Sequence, residues 1–220
     1  MRALDTLVEQ GKVRYLGFSD TPAWKVAQAQ TMALLRDWAP LVALQIEYSL
    51  LQRTVEGELV PMAQELGLGI TPWGPLRGGA LSGKYKRADK GKHQAARGER
   101  VTNSLDDRTF DLLELMERIA GELHTTVARV ALAWVQGRPG VTSTIVGART
   151  IEQLDDNLGA LDVKLGAEHV KALDEATTPS LPFPADMLGA VPTFALGGTT
   201  LDGQPSQPWP AAPQHDAERV

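Results

Sequence analysis

The stretch TPWGPLRGGALSGKY, residues 71–85, is the most informative segment of the sequence. It follows a short apolar run, Leu68-Gly69-Ile70, that is typical of a buried strand, and then turns through Pro, Gly and small residues. Backbone N–H groups in such a loop can approach a phosphate closely, and Lys84 can supply the counter-charge. Trp73 ends the strand, where a flat ring can meet a flat ligand. The alternative is a tight surface loop with a core tryptophan, because glycine-rich loops are common.

The composition is typical of a globular protein and excludes several classes of function. The chain has 220 residues, of which 43% are hydrophobic and 22% charged. A net charge of −5 argues against a nucleic-acid binder, and the absence of cysteine excludes disulfides and thiol chemistry. No apolar run approaches the ~20 residues that span a bilayer, and the first residues lack a signal peptide. We therefore expect no membrane association, and a cytoplasmic location by default.

Strands and helices alternate along the chain. The predicted strands are residues 13–18, 41–46, 68–73 and 142–146, and the predicted helices are residues 1–10, 22–37, 54–66, 106–122, 126–136, a segment ending near 158, and 167–176. Val13, Leu41 and Leu68 begin successive strands 28 and 27 positions apart (41 − 13 and 68 − 41), which is the spacing of βαβ units. The sequence therefore predicts an α/β fold with a parallel sheet.

The predicted domain organisation is a barrel-like part over residues 1–177 and a tail over residues 178–220. The tail carries eight of the 14 prolines, so we expect it to be partly packed and partly disordered. A basic segment, residues 84–100, is either a mobile lid or an ordinary solvated loop.

Residues able to bind a dinucleotide follow each predicted strand. Parallel α/β folds bind ligands at the carboxyl ends of their strands. The candidates at the four strand ends are Ser19 and Asp20, then Gln45, then Trp73 with the small-residue loop, then Gly147, Arg149, Gln153, Asp156 and Asn157. Taken singly, these side chains are more often caps, turns or solvated surface; only their joint placement indicates a site. No metal site is indicated.

The anion-friendly loops follow the third and fourth predicted strands. In (β/α)₈ barrels, phosphate sites favour the loops after strands seven and eight. If that rule holds, we expect the four strands here to be strands five to eight of a TIM barrel, and the first half of the barrel would then be missing.

Four ordered motifs resemble the aldo-keto reductase family, in the branch that includes potassium-channel beta subunits and bacterial reductases. They are GKVRYLGFSD at residues 11–20, QIEYSLLQR at 45–53, the segment from WGPL at 73–76 to LSGKY at 81–85, and GART at 147–150 with the helix to Leu158. The resemblance implies a (β/α)₈ barrel that binds NADP(H) and reduces aldehydes or ketones.

The resemblance also implies a role for each candidate. Ser19, Asp20 and Gln45 would hold the nicotinamide carboxamide, and Trp73 would stack on its ring. The loop residues Gly74, Pro75, Leu76, Arg77, Gly78 and Lys84 would line the pyrophosphate, Gly147, Arg149 and Gln153 the 2′-phosphate, and Asp156 and Asn157 the adenine. One departure is that the family usually has Asn where Asp20 stands; a carboxylate accepts from an amide but cannot donate to it.

A second departure concerns catalysis. The family uses a Tyr general acid with Lys, Asp and His, all from the first half of the barrel, and no segment here replaces them. We therefore expect a truncated NADPH-dependent reductase with negligible activity alone and no catalytic residue of its own. The alternatives are a non-catalytic module that binds NADP(H) or a partner, and a non-functional gene fragment. Exposed strand edges could also support an oligomer.

Overall fold

The structure is a computed structural model that describes residues 1–89, 99–188, 191, 199–201 and 204–205. The chain divides into two compact units, Met1–Pro179 and Ser180–Val220. The larger part of the predicted lid loop, and the final residues of the tail, lie outside the described residues. The predicted division at residue 177 stays a prediction.

The first unit is built on a parallel sheet, as predicted. Its strands are β1 (Leu16–Ser19), β2 (Leu41–Glu47) and β3 (Gly69–Trp73), in the order β1-β2-β3. Both pairs are parallel, and the register aligns Ser19 with Gln45 and Gln45 with Thr71. The carboxyl ends of all three strands therefore lie together at one edge of the sheet.

Helices connect and cover the strands. Those of the first unit are α1 (Arg2–Glu9), α2 (Ala23–Leu35), α3 (Leu59–Glu65), α4 (Glu99–Thr102), α5 (Asp107–Glu122), α6 (Val127–Gln136), α7 (Ile151–Leu158) and α8 (Ala167–Ala176). Asp106, Thr126 and Thr150 cap α5, α6 and α7 by accepting a hydrogen bond from a first-turn backbone N–H.

One side of the sheet faces the hydrophobic core. Leu44, Ile46 and Ile70 are at most 1% exposed and belong to one cluster with Met116 of α5 and Val130 of α6. The other side carries small and polar residues. Strand alternation puts these residues on that side: Gly17, Ser19, Ala43, Gln45, Glu47, Gly69, Thr71 and Trp73.

The predicted fourth strand, residues 142–146, does not form a regular strand. A single parallel bridge joins Val141 to Ile70, and the Thr142 N–H donates to the Ile70 carbonyl at 2.9 Å. The next hydrogen bond between the two segments cannot form, because Pro72 of β3 has no N–H to donate. The register then slips: Thr144 N–H donates to the Gln136 side chain, and Ile145 N–H donates to the Pro72 carbonyl at 2.8 Å.

The predicted helix over residues 54–66 is divided. A 3₁₀ turn covers Thr54–Glu56, and α3 begins afresh at Leu59. Pro61 explains the break: in the first turn of α3 its missing N–H costs no hydrogen bond, whereas in a helix running from Thr54 it would interrupt the interior.

A buried ionic cluster holds the end of α8 against the turn after β2. Arg53 is 7% exposed and binds both carboxylate oxygens of Glu56 at 2.9 Å, the Asp174 carbonyl at 3.0 Å and the Thr177 hydroxyl at 2.7 Å. The Tyr48 hydroxyl donates to Glu56 at 2.7 Å. Burial, followed by the Glu56 carboxylate, raises the pKa of Tyr48 above its ordinary value.

The second unit has little regular structure among its described residues. These include a short helix, α9 (Ala185–Leu188), and an antiparallel pair of two-residue strands, β4 (Thr200–Leu201) and β5 (Gln204–Pro205).

Candidate functional site

The loop after β3 turns sharply because its backbone repeatedly adopts positive φ. Gly74, Gly78, Gly79 and Gly83 have φ of 65°, 66°, 106° and 78°. Residues with a Cβ rarely adopt these angles, so the glycines are required by the path of the chain. Gly79 also allows a close approach, since a Cβ there would lie 3.2 Å from the Lys84 Nζ. The loop therefore brings bare backbone and a lysine to the end of β3.

An ion pair fastens this loop to the neighbouring strand. Arg77, itself at φ 48°, donates from Nη1 to Oε1 of Glu47 at the end of β2. Glu47 is aligned with Trp73 in the register, so the pair crosses from β2 to the first turn after β3. The side chains are 22% and 13% exposed, which shields the pair from solvent in part.

The segment before α7 forms the facing wall. Thr150 caps the helix, and its hydroxyl accepts from the Gln153 N–H at 3.3 Å. In return, the Gln153 side-chain oxygen accepts from the Arg149 N–H at 2.9 Å. The pKa of the Glu152 carboxyl is lowered, mainly by a hydrogen bond from its own backbone N–H and secondly by one from the Thr150 hydroxyl. These contacts show that the start of α7 favours negative charge.

A cleft of about 530 Å³ lies between the loop and this wall. Ten predicted site residues line it: Gly74, Pro75, Leu76, Gly78, Lys84, Gly147, Arg149, Gln153, Asp156 and Asn157. It carries two cations, Lys84 and Arg149, and one carboxylate, Asp156. That carboxylate is engaged, because Asp156 accepts from Arg129 Nε at 2.9 Å and from the Thr126 hydroxyl at 3.2 Å. The cleft therefore offers net positive charge to a ligand.

Four further predicted residues form a second cluster at the strand ends. The Trp73 indole N–H donates to Asp20 Oδ1 at 3.0 Å, and the Ser19 hydroxyl donates to Asp20 Oδ2 at 3.3 Å. The Asp20 backbone N–H donates to the Gln45 carbonyl at 3.1 Å. Trp73 directly precedes Gly74 of the cleft, so this cluster adjoins the cleft along the chain. Arg77, the remaining predicted residue, is held by Glu47 and does not line the cleft.

The cleft also contains residues that sequence reasoning missed: Gly79, Ser82, Ala128, Ile145 and Val146. Gly79 and Ser82 lie inside the glycine-rich loop of residues 71–85, and their small side chains could have indicated that they line a ligand site. Ile145 and Val146 were expected to form a strand, yet they line the wall and are 41% and 39% exposed. Ala128 has no sequence signal, because α6 brings it there.

None of the three tyrosines lines the cleft. Tyr15 is 76% exposed and precedes β1, at the opposite end of the sheet, whereas Tyr48 and Tyr85 are buried. His169 contacts Glu122 at 3.1 Å, far along α5. Among the described residues, no group of three or more His, Asp or Glu side chains could hold a metal ion. Within the same part of the chain, no helix is both long and apolar enough to cross a bilayer.

Comparison with known proteins identifies relatives of the chain. An oxidoreductase of Bacillus subtilis, YrpG, is 39% identical over 79% of this chain and 52% of its own length. The probable aryl-alcohol dehydrogenase AAD4 of Saccharomyces cerevisiae is 31% identical over 94% of this chain and 64% of its own length. Norsolorinic acid reductase A of Aspergillus parasiticus is 31% identical over 88% of this chain and 48% of its own length.

This chain thus spans about half to two thirds of the length of these relatives. The family model for aldo/keto reductases matches residues 1–178. The match covers every element of the first unit, including both walls of the cleft, and the chain belongs to the aldo/keto reductase family.

Proposed function

We propose that this chain forms the NADP(H)-binding part of an oxidoreductase that interconverts small-molecule aldehydes or ketones with alcohols. The observation that carries the proposal is the cleft, in which the glycine loop with Lys84 faces the start of α7 with Arg149. Two cations across a cleft lined by bare backbone suit a ligand with separated phosphates. When bound, NADP(H) supplies the hydride that the reaction transfers.

Each wall of the cleft has a distinct role in this proposal. The loop from Gly74 to Gly78, with Lys84, binds the pyrophosphate through backbone N–H groups and one point charge. Arg149 binds the adenosine 2′-phosphate through its planar guanidinium, which favours NADP(H) over NAD(H). Asp156 and Asn157 border the adenine.

The strand-end cluster of Ser19, Asp20, Gln45 and Trp73 binds the nicotinamide. Trp73 stacks on the ring and determines which face transfers hydride. Gln45, Ser19 and Asp20 hold the carboxamide, with Asp20 accepting from its NH₂ group. This arrangement explains why polar side chains are grouped on the otherwise small-residue side of the sheet.

No tyrosine or histidine that could serve as the general acid is found in the cleft or among the hydrogen bonds of the strand-end cluster. A carbonyl oxygen that becomes an alkoxide needs a proton donor within hydrogen-bond reach. The three tyrosines are elsewhere, and the histidines of the described residues, His124 and His169, do not line the cleft. We propose that β1, β2, β3 and residues 141–146 correspond to strands five to eight of a (β/α)₈ barrel, and that the donor belongs to the other strands.

The substrate class is proposed from the family and its relatives. Two relatives are named for an aryl alcohol and for norsolorinic acid, which points to aromatic alcohols or carbonyl compounds as first substrates to assay. A non-catalytic NADP(H)-binding module is the second candidate. It is favoured because the hydrogen bonds of the strand-end cluster, where the nicotinamide would bind, include no tyrosine hydroxyl, and that of Tyr48 donates to Glu56 instead.

A titration of the 220-residue chain tests the proposal. We expect NADPH to quench tryptophan fluorescence saturably, with energy transfer to the dihydronicotinamide that is reduced in Trp73→Phe. Trp24→Phe, a change of an exposed tryptophan on α2, should leave the transfer unchanged. Binding without oxidation of NADPH by an aromatic aldehyde agrees with both candidates, whereas turnover by this chain alone would contradict the proposal that the proton donor lies on other strands. Absence of saturable binding would refute both.

A further inference from the structure

The strand-end cluster is organised around a carboxylate. Asp20 accepts from two neutral donors, the Trp73 indole N–H at 3.0 Å and the Ser19 hydroxyl at 3.3 Å. Both of its side-chain oxygens are thus held in place while the side chain stays exposed. The result is a positioned negative charge beside the aromatic ring that ends β3.

This charge is not balanced by a cation in the part of the chain that the structure describes. The neighbouring strand ends carry an ion pair, Arg77 with Glu47, whose two charges offset each other. The donors to Asp20 carry no charge, so they orient the carboxylate without neutralising it.

The backbone also fits an acidic or amide side chain at this position. Asp20 has φ of 47°, in the left-handed region where Asp and Asn are enriched because their short side chains bond locally. Either residue can occupy the position without a change in backbone strain. The carboxylate charge is therefore separable from the shape of the cluster.

We propose that Asp20 is a specificity-determining residue that makes the site favour oxidised NADP⁺ over NADPH. The inference rests on the proposed function, in which Trp73 stacks on the nicotinamide. The oxidised ring is a cation and the reduced ring is neutral, so a fixed carboxylate at its edge attracts only the oxidised form. The same preference stabilises the oxidised cofactor on the protein, so the equilibrium between the bound species shifts toward NADP⁺ and alcohol, the direction of carbonyl reduction.

The size of the effect follows from the exposure of the carboxylate. Unit charges a few ångströms apart near a protein surface interact more strongly than in bulk water, yet far less than in a dry interior. We expect the ratio Kd(NADP⁺)/Kd(NADPH) to be about tenfold lower than it would be without the charge. Because the group is exposed, raising the salt concentration should diminish the difference.

The test compares this ratio in the unaltered chain and in Asp20→Asn by calorimetric titration with NADP⁺ and NADPH. Asparagine keeps the shape, the φ preference and an oxygen that accepts from Trp73. The matched control is Asp37→Asn, since Asp37 is also exposed and at φ 52° but lies beyond α2, at the opposite end of the sheet. Near-unchanged circular dichroism should accompany both variants.

We expect Asp20→Asn to raise the ratio about tenfold, through weaker NADP⁺ binding, with NADPH affinity nearly unchanged. Asp37→Asn should leave the ratio within twofold of the original. If both nucleotides bind but the ratio is the same in Asp20→Asn, the inference is wrong and the proposed function stands. If neither nucleotide binds the unaltered chain, both are overturned.

Discussion

Arg77 donates a hydrogen bond to Glu47, and this ion pair ties the first turn of the glycine loop to the end of the adjacent strand. The loop contains five residues at positive φ, Gly74, Arg77, Gly78, Gly79 and Gly83. Its backbone hydrogen bonds, such as those from Arg77 N–H to the Gly74 carbonyl and from Gly79 N–H to the Leu76 carbonyl, join loop residues to one another. A side-chain anchor is therefore the means by which the sheet positions the loop. Loss of the anchor should cost both stability and nucleotide affinity.

The Glu47 anchor gives the first prediction. Glu47→Gln removes the charge that Arg77 binds, and Arg77 also has a buried Nε without a hydrogen-bond partner among the described residues. We expect the free energy of unfolding to fall by about 1–3 kcal/mol, because a partly buried guanidinium loses its counter-charge.

Urea denaturation followed by circular dichroism measures this loss. The control is Glu114→Gln, since Glu114 is 57% exposed and pairs with Arg87 at 2.8 Å on the surface of α5. Exposed pairs contribute little, so its effect should be below about 1 kcal/mol. Equal losses in the two variants would show that Glu47 is not an anchor.

The Arg149 guanidinium gives the second prediction. If it binds the 2′-phosphate, Arg149→Ala should weaken NADP⁺ binding roughly tenfold to hundredfold, because a charge-assisted hydrogen bond is lost. Binding of NAD⁺, which has no such phosphate, should change less than twofold. Arg36→Ala, an exposed arginine at the end of α2, is the control. Equal weakening of both nucleotides would remove Arg149 from the phosphate site.

Gly83 gives the third prediction. Gly83 has φ of 78°, and a Cβ there would lie 2.9 Å from the Cβ of Val127 at the start of α6. Gly83→Ala should lower the free energy of unfolding by about 2–5 kcal/mol, from backbone strain together with overpacking. Gly11→Ala separates the two terms, because Gly11 has φ of 68° with nothing within 4 Å. Gly11→Ala should lower the free energy of unfolding by only about 1–2 kcal/mol. An equal loss in Gly83→Ala would mean that the Val127 side chain moves aside with no energetic penalty.

The buried Tyr48 hydroxyl gives the fourth prediction, on alkaline stability. Burial and the Glu56 carboxylate raise the pKa of Tyr48 from the ordinary value of 10.0. Below pH 10 the phenol is protonated in both states, and its contribution is complete. Above pH 10 the unfolded chain releases a proton that the folded chain retains, so the free energy of unfolding decreases with pH, by up to about 1.4 kcal/mol per unit.

Tyr48→Phe should therefore be less stable at neutral pH by about 1–2 kcal/mol, from the lost hydrogen bond to a charged acceptor. It should also show a flatter decline above pH 10, measured by denaturation from pH 8 to 11.5. Tyr15→Phe, at a ring that is 76% exposed, should keep the original slope. A Tyr48→Phe slope identical to the original would contradict the assignment.

The regular parts of the fold could be predicted from local pattern, and the departures come from partners distant in sequence. β2 and β3 were found because Leu41–Glu47 and Gly69–Trp73 are apolar runs bounded by turn signals. The segment 142–146 has equally good strand composition, but Pro72 on the neighbouring strand has no N–H and cannot make the hydrogen bond that would continue the pairing. By contrast, the division of the helix predicted over residues 54–66 could have been predicted from Pro61, which lies within that segment.

The site shows the same division. The loop residues that line the cleft were predictable because glycine at strand ends has a specific conformational use. The partners of Asp156 were not, since Arg129 and Thr126 lie 27 and 30 positions away and meet it only through the packing of α6 on α7. The contact between Trp73 and Asp20, 53 positions apart, likewise required the parallel register.

Hydrogen exchange with and without NADP⁺ tests most directly whether the two walls of the cleft form one nucleotide site. We predict slower exchange in residues 74–84 and 145–157 together, with no change in α5. Protection of only one of these segments, or of neither, at a nucleotide concentration that saturates any binding would contradict the account.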